Sequence, residues 1–425
     1  MNQIDQKKQK YILKDFCSRL NLLKKLDFLK LYKLQYVYVF EQNLQLLGNL
    51  YTWGLYSAGT GFNLHNESPE VNVPKRLSQF DGKVDKVVMG PYHSAVITTE
   101  GQLYTMGSGK YGALGLNNAF QSYPEPQLVE FFAEKNLKVT DAVLGEQLSV
   151  VVTDNGEVWT FGYGGTYDFK ILDWINPRTG GLGSGQNTHR FEPGKVEIEK
   201  PAQISVGDNF VITISQDGKV INWGNGADGA LADGACEGIL SPQVNENFEL
   251  LREHEGLTIQ KIQSASHFSV ALMSDGNLYS WGKNNQGSLG IRQNLGHRTD
   301  DVATLPTKVA NQYFKDHSIV DFSVGENSLV ILTDNNEVYW SGLDLAFKPI
   351  RWEIPTDKKI KQVVASKDSF AALTEDGYLY SYNNFVQNAR WIPGSEYSVS
   401  NNQIFGNEQI QSIGGKYGIK YAITN

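Results

Sequence analysis

Cysteine is almost missing from this sequence: only Cys17 and Cys236 occur among 425 residues. Two isolated cysteines exclude a disulfide framework, so a reducing, intracellular setting is expected. Long apolar runs are missing too. None reaches the roughly 18 residues that a membrane-spanning helix requires, and Lys and Asp interrupt every candidate leader core near the start. No Gly-x-x-x-x-Gly-Lys-Ser/Thr cradle for phosphate occurs, and Tyr163-Gly-Gly165 lacks the following helix that such a site needs. No serine stands in a nucleophile elbow. The histidines at 65, 93, 189, 254, 267, 297 and 317 never form a close ligand pair, so no metal is expected. No cofactor is implied, and the chain is expected not to be an enzyme.

What the sequence does contain is glycine and aromatic residues, with 42 Gly, 21 Tyr and 20 Phe. At 40% hydrophobic and 20% charged it is globular. Abundant glycines and aromatics with few long helical patterns point to short strands and tight turns. The net charge of −8 argues against direct nucleic-acid binding. Residues 1–40 nevertheless sum to +6 (nine Lys or Arg against Asp5, Asp15 and Asp27), which leaves about −14 for the rest.

One pattern returns along the chain. Its clear copies are Thr99-Glu-Gly-Gln-Leu-Tyr-Thr-Met-Gly107, Asp154-Asn-Gly-Glu-Val-Trp-Thr-Phe-Gly162 and Gln216-Asp-Gly-Lys-Val-Ile-Asn-Trp-Gly224. Ser274-Asp-Gly-Asn-Leu-Tyr-Ser-Trp-Gly282, Asp334-Asn-Asn-Glu-Val-Tyr-Trp-Ser-Gly342 and a weaker Glu375-Asp-Gly-Tyr-Leu-Tyr-Ser-Tyr-Asn383 follow. The turn residues Gly101, Gly156, Gly218, Gly276, Asn336 and Gly377 each stand six positions before the closing residue. They are expected to supply the positive φ of a two-residue hairpin turn. Closing residues are separated by 55, 62, 58, 60 and 41 positions, as tolerant loops around a constant hairpin would give. Eleven positions before each turn residue stands a small one: Gly90, Gly145, Gly207, Ala265, Gly325 and Ser366. These are expected to open an innermost strand where backbones converge near an axis.

The termini supply a further copy in two halves. Gly48-Asn-Leu-Tyr-Thr-Trp-Gly54 lacks a first strand, and 410–424 is a first strand with no turn after it. Joined, they complete a seventh unit. The expected fold is all-β: a seven-bladed propeller over 46–425, closed by pairing of its N- and C-terminal segments. Residues 1–45 are expected to form a short, basic, amphipathic helical extension.

At these residues the chain resembles the regulator-of-chromosome-condensation repeat family. Its pattern of Gly-x-x-His-Ser/Thr, Asp-Gly-x-Val/Leu-Tyr-x-Trp-Gly and Gly-x-Leu-Gly is matched by Gly90-Pro-Tyr-His-Ser94, 274–282, Gly112-Ala-Leu-Gly115, Gly180-Gly-Leu-Gly183 and Gly287-Ser-Leu-Gly290. The sequence departs from the pattern at Leu148-Ser149, Phe210-Val211 and Phe268-Ser269, and 343–395 lacks Gly-x-Leu-Gly. The resemblance implies a platform for protein partners. Its members include an exchange factor for the GTPase Ran, a plant ultraviolet photoreceptor and assembly proteins. The photoreceptor's repeated Gly-Trp-Arg-His-Thr cluster is absent, which removes light sensing.

Trp53, Trp223, Trp281 and Trp340 are read as blade-packing residues rather than a ligand-stacking surface. The insertion 163–191 carries Phe169, Trp174 and Arg178, residue types typical of binding hot spots. Two readings weigh evenly there: contact with a partner, and folding back on its own blade. In the head, Leu13, Phe16, Leu20 and Leu23 recur at helical spacing among lysines. That segment reads as a mitochondrial targeting helix, a helix on an anionic membrane surface, or a docking helix for a partner. The expected function is a scaffold within a multi-subunit complex, with exchange activity on a small GTPase as the alternative. Mitochondria are suspected from the head segment, with cytoplasm and nucleus as alternatives.

Overall fold

The computed structural model describes residues 48–54, 71–118, 120–165, 179–284, 286–291, 302–314, 317–383, 385, 390–391, 397–400, 405, 409–416 and 419–424. The expected helical head, with Leu13, Phe16, Leu20 and Leu23, lies outside the described residues, as do Phe169, Trp174 and Arg178.

Each repeat folds into one antiparallel sheet, and seven such sheets form the blades of a propeller. Blade one shows the plan: Val84–Met89 at the axis, then His93–Thr98, Leu103–Gly107 and Tyr123–Leu128 at the rim. The second strand of a blade is buried along its whole length, as in Leu148–Thr153 and Phe268–Met273. These runs of β-branched and apolar residues are therefore continuous rather than alternating. The termini complement each other as their sequences imply. Asn49–Gly54 pairs with Ile419–Thr424 residue by residue, Val71–Arg76 lies outside it, and Ile410–Lys416 lies inside.

The hairpin turns differ in type from the expectation. Gly101, Gly156, Gly218, Gly276 and Gly377 hold φ between 77 and 87°, and Asn336 holds 67°, but the residue before each stays out of the left-handed region. Gly101 N donates to Thr98 O at 2.8 Å and Thr98 N to Gln102 O at 2.9 Å. That pattern is a type I turn closed by one left-handed residue, a three-residue loop. Only one position in each turn needs glycine. The small residues also sit elsewhere than expected. Gly90 and its equivalents follow the innermost strand rather than open it. The reason for their size holds: a Cβ at Gly145 would come within 2.4 Å of Gly207 O, and one at Gly325 within 1.8 Å of Ser366 O.

Two repeated hydrogen bonds lock the blades. Within a blade, a polar side chain on the third strand holds the carbonyl of the Leu in Gly-x-Leu-Gly: Thr105 to Leu114 (2.8 Å), Thr160 to Leu182 (2.7 Å), Asn222 to Leu231 (2.6 Å) and Ser280 to Leu289 (2.8 Å). Between blades, an indole N–H reaches back to the preceding blade: Trp53 to Phe385 O (2.9 Å), Trp223 to Gly181 O (2.8 Å) and Trp281 to Ala230 O (3.1 Å). All three tryptophans are buried. Trp340 is displaced by one position, taking the place of the polar residue. It packs on Phe370 and Tyr382 of blade six, and its own blade lacks Gly-x-Leu-Gly.

Blades one and two share a further contact. Ser149 Oγ donates to Ala113 O at 2.7 Å, and His93 Nε2 lies 2.8 Å from the same hydroxyl. With the serine proton committed, Nε2 carries the histidine proton. Nδ1 is left buried with no hydrogen-bond partner among the described residues. Burial accordingly lowers the His93 pKa to about 4.

The rim strands are exposed edges, and ring closure does not remove them. Proline interrupts six of them: Pro74, the pair Pro124 and Pro126, Pro193, Pro242, Pro306 and Pro349. The proline-free rim strand Tyr397–Ser400 is covered instead by an extra short strand, Arg390–Trp391.

Gly276→Val should destabilise the chain by about 1–3 kcal/mol in urea unfolding, through backbone conformation alone. A Cβ at Gly276 meets nothing within 4 Å. A change within about 0.5 kcal/mol would contradict the turn assignment. Trp281→Phe should cost about 1–2 kcal/mol by leaving the Ala230 carbonyl without its donor, and Trp281→Ala about 3–5 kcal/mol. For His93, the folded value near 4 lies below the ordinary 6.5, so the unfolded chain binds the proton first. Stability should be full above about pH 6.5 and decline as the pH falls towards 4, by on the order of 3 kcal/mol. His93→Gln should flatten that part of the stability profile, and an unchanged slope would refute the assignment.

Candidate functional site

One face of the propeller, with its axis, holds the loops in which the blades differ most. The tight turns leaving the innermost strands and the loops between third and outermost strands share this face. Those loops are where the blades differ most: 108–122 in blade one, 225–238 in blade three and only 343–345 in blade five. The short hairpin of blade five places Leu343 and Asp344 at φ of 57 and 56° and leaves Leu345 69% exposed.

Three rings of side chains stack along the axis. The deepest joins innermost strands that share no backbone ladder: Lys86 pairs with Asp141 and Lys261 with Asp321, while Gln203 donates to Gln260 O (2.9 Å) and Gln362 to Ile413 O (2.8 Å). Both lysines are balanced there, so the ring is close to neutral. The lumen, which Lys261, Asp321 and Gln362 of this ring also line, holds about 310 Å³. Its wall is apolar at Val88 and Val143 and polar at Ser205, Gln263 and Ser323. Tyr421, from the second strand of blade seven, reaches this lumen over Gly414, where a Cβ would lie 2.1 Å from the ring. Burial raises the Tyr421 hydroxyl to about 12.

The third ring is the mouth. The residue after each small one (Pro91, Glu146, Asp208, Ser266, Glu326 and Lys367) lines a recess of about 80 Å³. Backbone bonds tie the turns together: Glu146 N to Asp208 O and Asp208 N to Ser266 O, both 2.9 Å. Lys367 lies 3.6 Å from Glu326, and His267 stands 3.5 Å from both Asp208 and Asp228. Burial raises the Glu326 carboxyl and the charges of Asp208 and Asp368 add to the rise, while Lys367 opposes it. Among the described residues, no His, Cys, Asp or Glu cluster could hold a metal ion.

An aromatic collar stands at the base of the 163–191 insertion. Tyr111 contacts Phe120, Tyr163 and His189 at centroid distances of 5.7, 5.1 and 4.6 Å, and Phe120 contacts Phe191 at 5.9 Å. The insertion's ends are pinched together where Gly165 bridges Thr179. Phe120 is 56% exposed at φ 62°, a conformation that costs an aromatic residue about 1–3 kcal/mol. Tyr111 holds φ 57°, as does its equivalent Asp228 at 60°, so that strain belongs to the turn. Phe120 has no counterpart in blade three.

The sequence pointed to the insertion but not to its collar or to the mouth. The mouth had a signal, the residue following each small one, yet its identity changes from blade to blade. Only the ring brings those six side chains together.

Comparison with known proteins agrees with this architecture. Residues 43–347 match the family model for the RCC1-like domain. The human E3 ubiquitin-protein ligase HERC2 is 32% identical over 251 residues, which cover 57% of this chain and 5% of that protein. The mitochondrial RCC1 domain-containing protein RUG3 of Arabidopsis thaliana is 26% identical over 312 residues, covering 72% of this chain and 63% of RUG3. The chain thus spans less than two thirds of each relative's length. Prp20p of Saccharomyces cerevisiae, which binds Gsp1p and histones, superposes with a TM-score of 0.72 at 19% identity, covering 90% of this chain and 94% of Prp20p. Repeat spacing, the shared seventh blade and the matched domain lead to one assignment: the chain belongs to the RCC1-like domain family, whose propellers serve as protein-interaction and regulatory domains.

Proposed function

We propose that the chain is a non-catalytic scaffold that presents one loop-bearing propeller face to protein partners within a larger intracellular assembly. One observation carries the reading. Divergence between blades is greatest in the loops between third and outermost strands, from 343–345 in blade five to 108–122 in blade one, while the buried strands and their locking hydrogen bonds repeat. A surface that varies on a frame that does not is the arrangement expected of a recognition platform. Phe120, exposed in a strained conformation beside the insertion, has the character of a binding anchor. Similarity to mitochondrial RUG3, together with the basic head, supports a mitochondrial assembly.

A second reading, guanine-nucleotide exchange on a small GTPase, is favoured by membership of the RCC1-like family. Exchange needs no catalytic side chain of its own, since surface contacts that distort a nucleotide site suffice.

Tagged full-length chain expressed in its native cells should elute with partner chains in an assembly much larger than its own 47.4 kDa. Phe120→Asp should weaken that association by about tenfold while leaving the unfolding midpoint unchanged. So should replacing 166–178 with a short Gly-Ser linker. Elution as a lone chain would refute the scaffold. Accelerated GDP release from any member of a small-GTPase panel would establish the second reading.

A further inference from the structure

We propose that Phe120 and Leu345 are paired anchors for one folded protein partner that lies flat across the loop-bearing face. The pairing deepens the platform reading and rests on it.

Leu345 is the most exposed large apolar side chain among the described residues, and Phe120 follows it. Exposure alone says little, because single apolar side chains are common on protein surfaces. What sets these two apart is the backbone that presents them. Phe120 itself holds φ 62°. Leu345 follows a turn whose two central residues, Leu343 and Asp344, are both left-handed, and its N–H closes that turn on Gly342 O at 3.1 Å. This is the geometry of a type I′ turn, which favours Asn-Gly and accepts leucine poorly. A chain that places glycine at most of its hairpin turns keeps strain here, which marks the segment for a role beyond turning. Leu343 has a role within the fold, since its side chain packs on the core shared by blades five and six. Leu345 has no such packing role among the described residues. The tip is also fixed in place: Leu343 N donates to Asn327 O (2.8 Å) and Asp344 N to Gln286 O in the loop of blade four (3.0 Å). A side chain positioned before contact loses little freedom on binding, as suits an anchor.

Placement decides what kind of partner can use both. Each residue stands between the third and outermost strands of its blade, so the two share a face. They belong to blades one and five, with blades six and seven between them on one side of the ring and blades two, three and four on the other. The line joining them therefore passes close to the axis. The recess at the axis, about 80 Å³, is too small to seat a linear peptide running from one anchor to the other. A folded domain presents two contact points at fixed separation and needs no groove. Charge narrows the class further. Asp344, beside Leu345, is exposed and makes no ion pair among the described residues. The turns between the anchors carry Glu146, Asp208 and Glu326 against Lys367. The partner's covering surface is therefore basic, with one apolar recess for Leu345 and another for Phe120.

The photo-crosslinking residue p-benzoylphenylalanine, placed singly at positions 120, 345 and 250 of the full-length chain in its native cells, tests the pairing. Leu250 is the control, an exposed leucine on the helix Glu246–Glu255 at the opposite face. Positions 120 and 345 should crosslink to the same partner chain at two separate segments of its sequence, and position 250 should not. Leu345→Asp should lower the yield from position 120 by about tenfold, and Phe120→Asp the yield from position 345 alike, because either loss loosens one shared footprint. Unfolding midpoints should match that of the unaltered chain. If Leu345→Asp does not fold, Leu345→Ala takes its place, with a loss of about fivefold. In cell extract, raising salt from about 50 to about 500 mM before irradiation should lower both yields several-fold. Different partner chains at the two positions, no crosslink from 345, or one contiguous partner segment reached from both would overturn the pairing. So would salt-insensitive yields, or a yield from 120 that the substitution at 345 leaves unchanged. A partner still captured from position 120 in those cases would leave the platform reading standing without the second anchor.

Discussion

Six residue pairs, from Asn49 opposite Thr424 to Gly54 opposite Ile419, join the two ends of the described chain into one sheet, and every other feature of the propeller depends on them. Neighbouring blades share no backbone ladder, so the ring is held by side chains crossing from blade to blade and by single backbone bonds between their loops. Such contacts act together only if the ring is closed, because an open ring would leave two flanks without a neighbour. The closing pair brings together residues 375 apart, a large loop-closure cost that must be met late in folding. Aromatic packing of Trp53 against Phe385 and Phe405, with Tyr51 against Phe405, reinforces the seam.

Much of this was legible in the residues, and for identifiable reasons. Gly276 and its equivalents announce themselves because few other residues accept their φ. The half-repeats at 48–54 and 410–424 were legible because a strand pattern that stops midway needs its complement. The turn type was misjudged because Asp-Gly and Asn-Gly serve both two-residue and three-residue hairpins, and only the hydrogen bonds from Thr98 distinguish them. The small residues were placed at the wrong end of the innermost strand because a requirement for little volume does not reveal direction.

The axial site was not legible, and the cause is physical. Packing chemistry must recur in every blade, so it leaves a repeating trace such as Thr105, Thr160, Asn222 and Ser280 over their leucines. Recognition chemistry is asymmetric by need. Glu146, Asp208 and Glu326 become one surface only after seven-fold geometry collapses distant positions onto an axis. Tyr421 likewise gains its place from Gly414, a relation of volumes across two strands. Loss of repetition can itself be informative. Where Gly-x-Leu-Gly disappears from blade five, Trp340 takes the position of the polar residue that would have held it.

The prolines of the rim strands carry a consequence for how this molecule meets others. A strand that cannot offer an unbroken row of amide donors cannot recruit a foreign strand, and the proline-free sixth blade shields its own. The circumference is thereby a poor template for strand addition, even at high local concentration. Neighbouring copies are thus kept from fusing edge to edge into one continuous sheet.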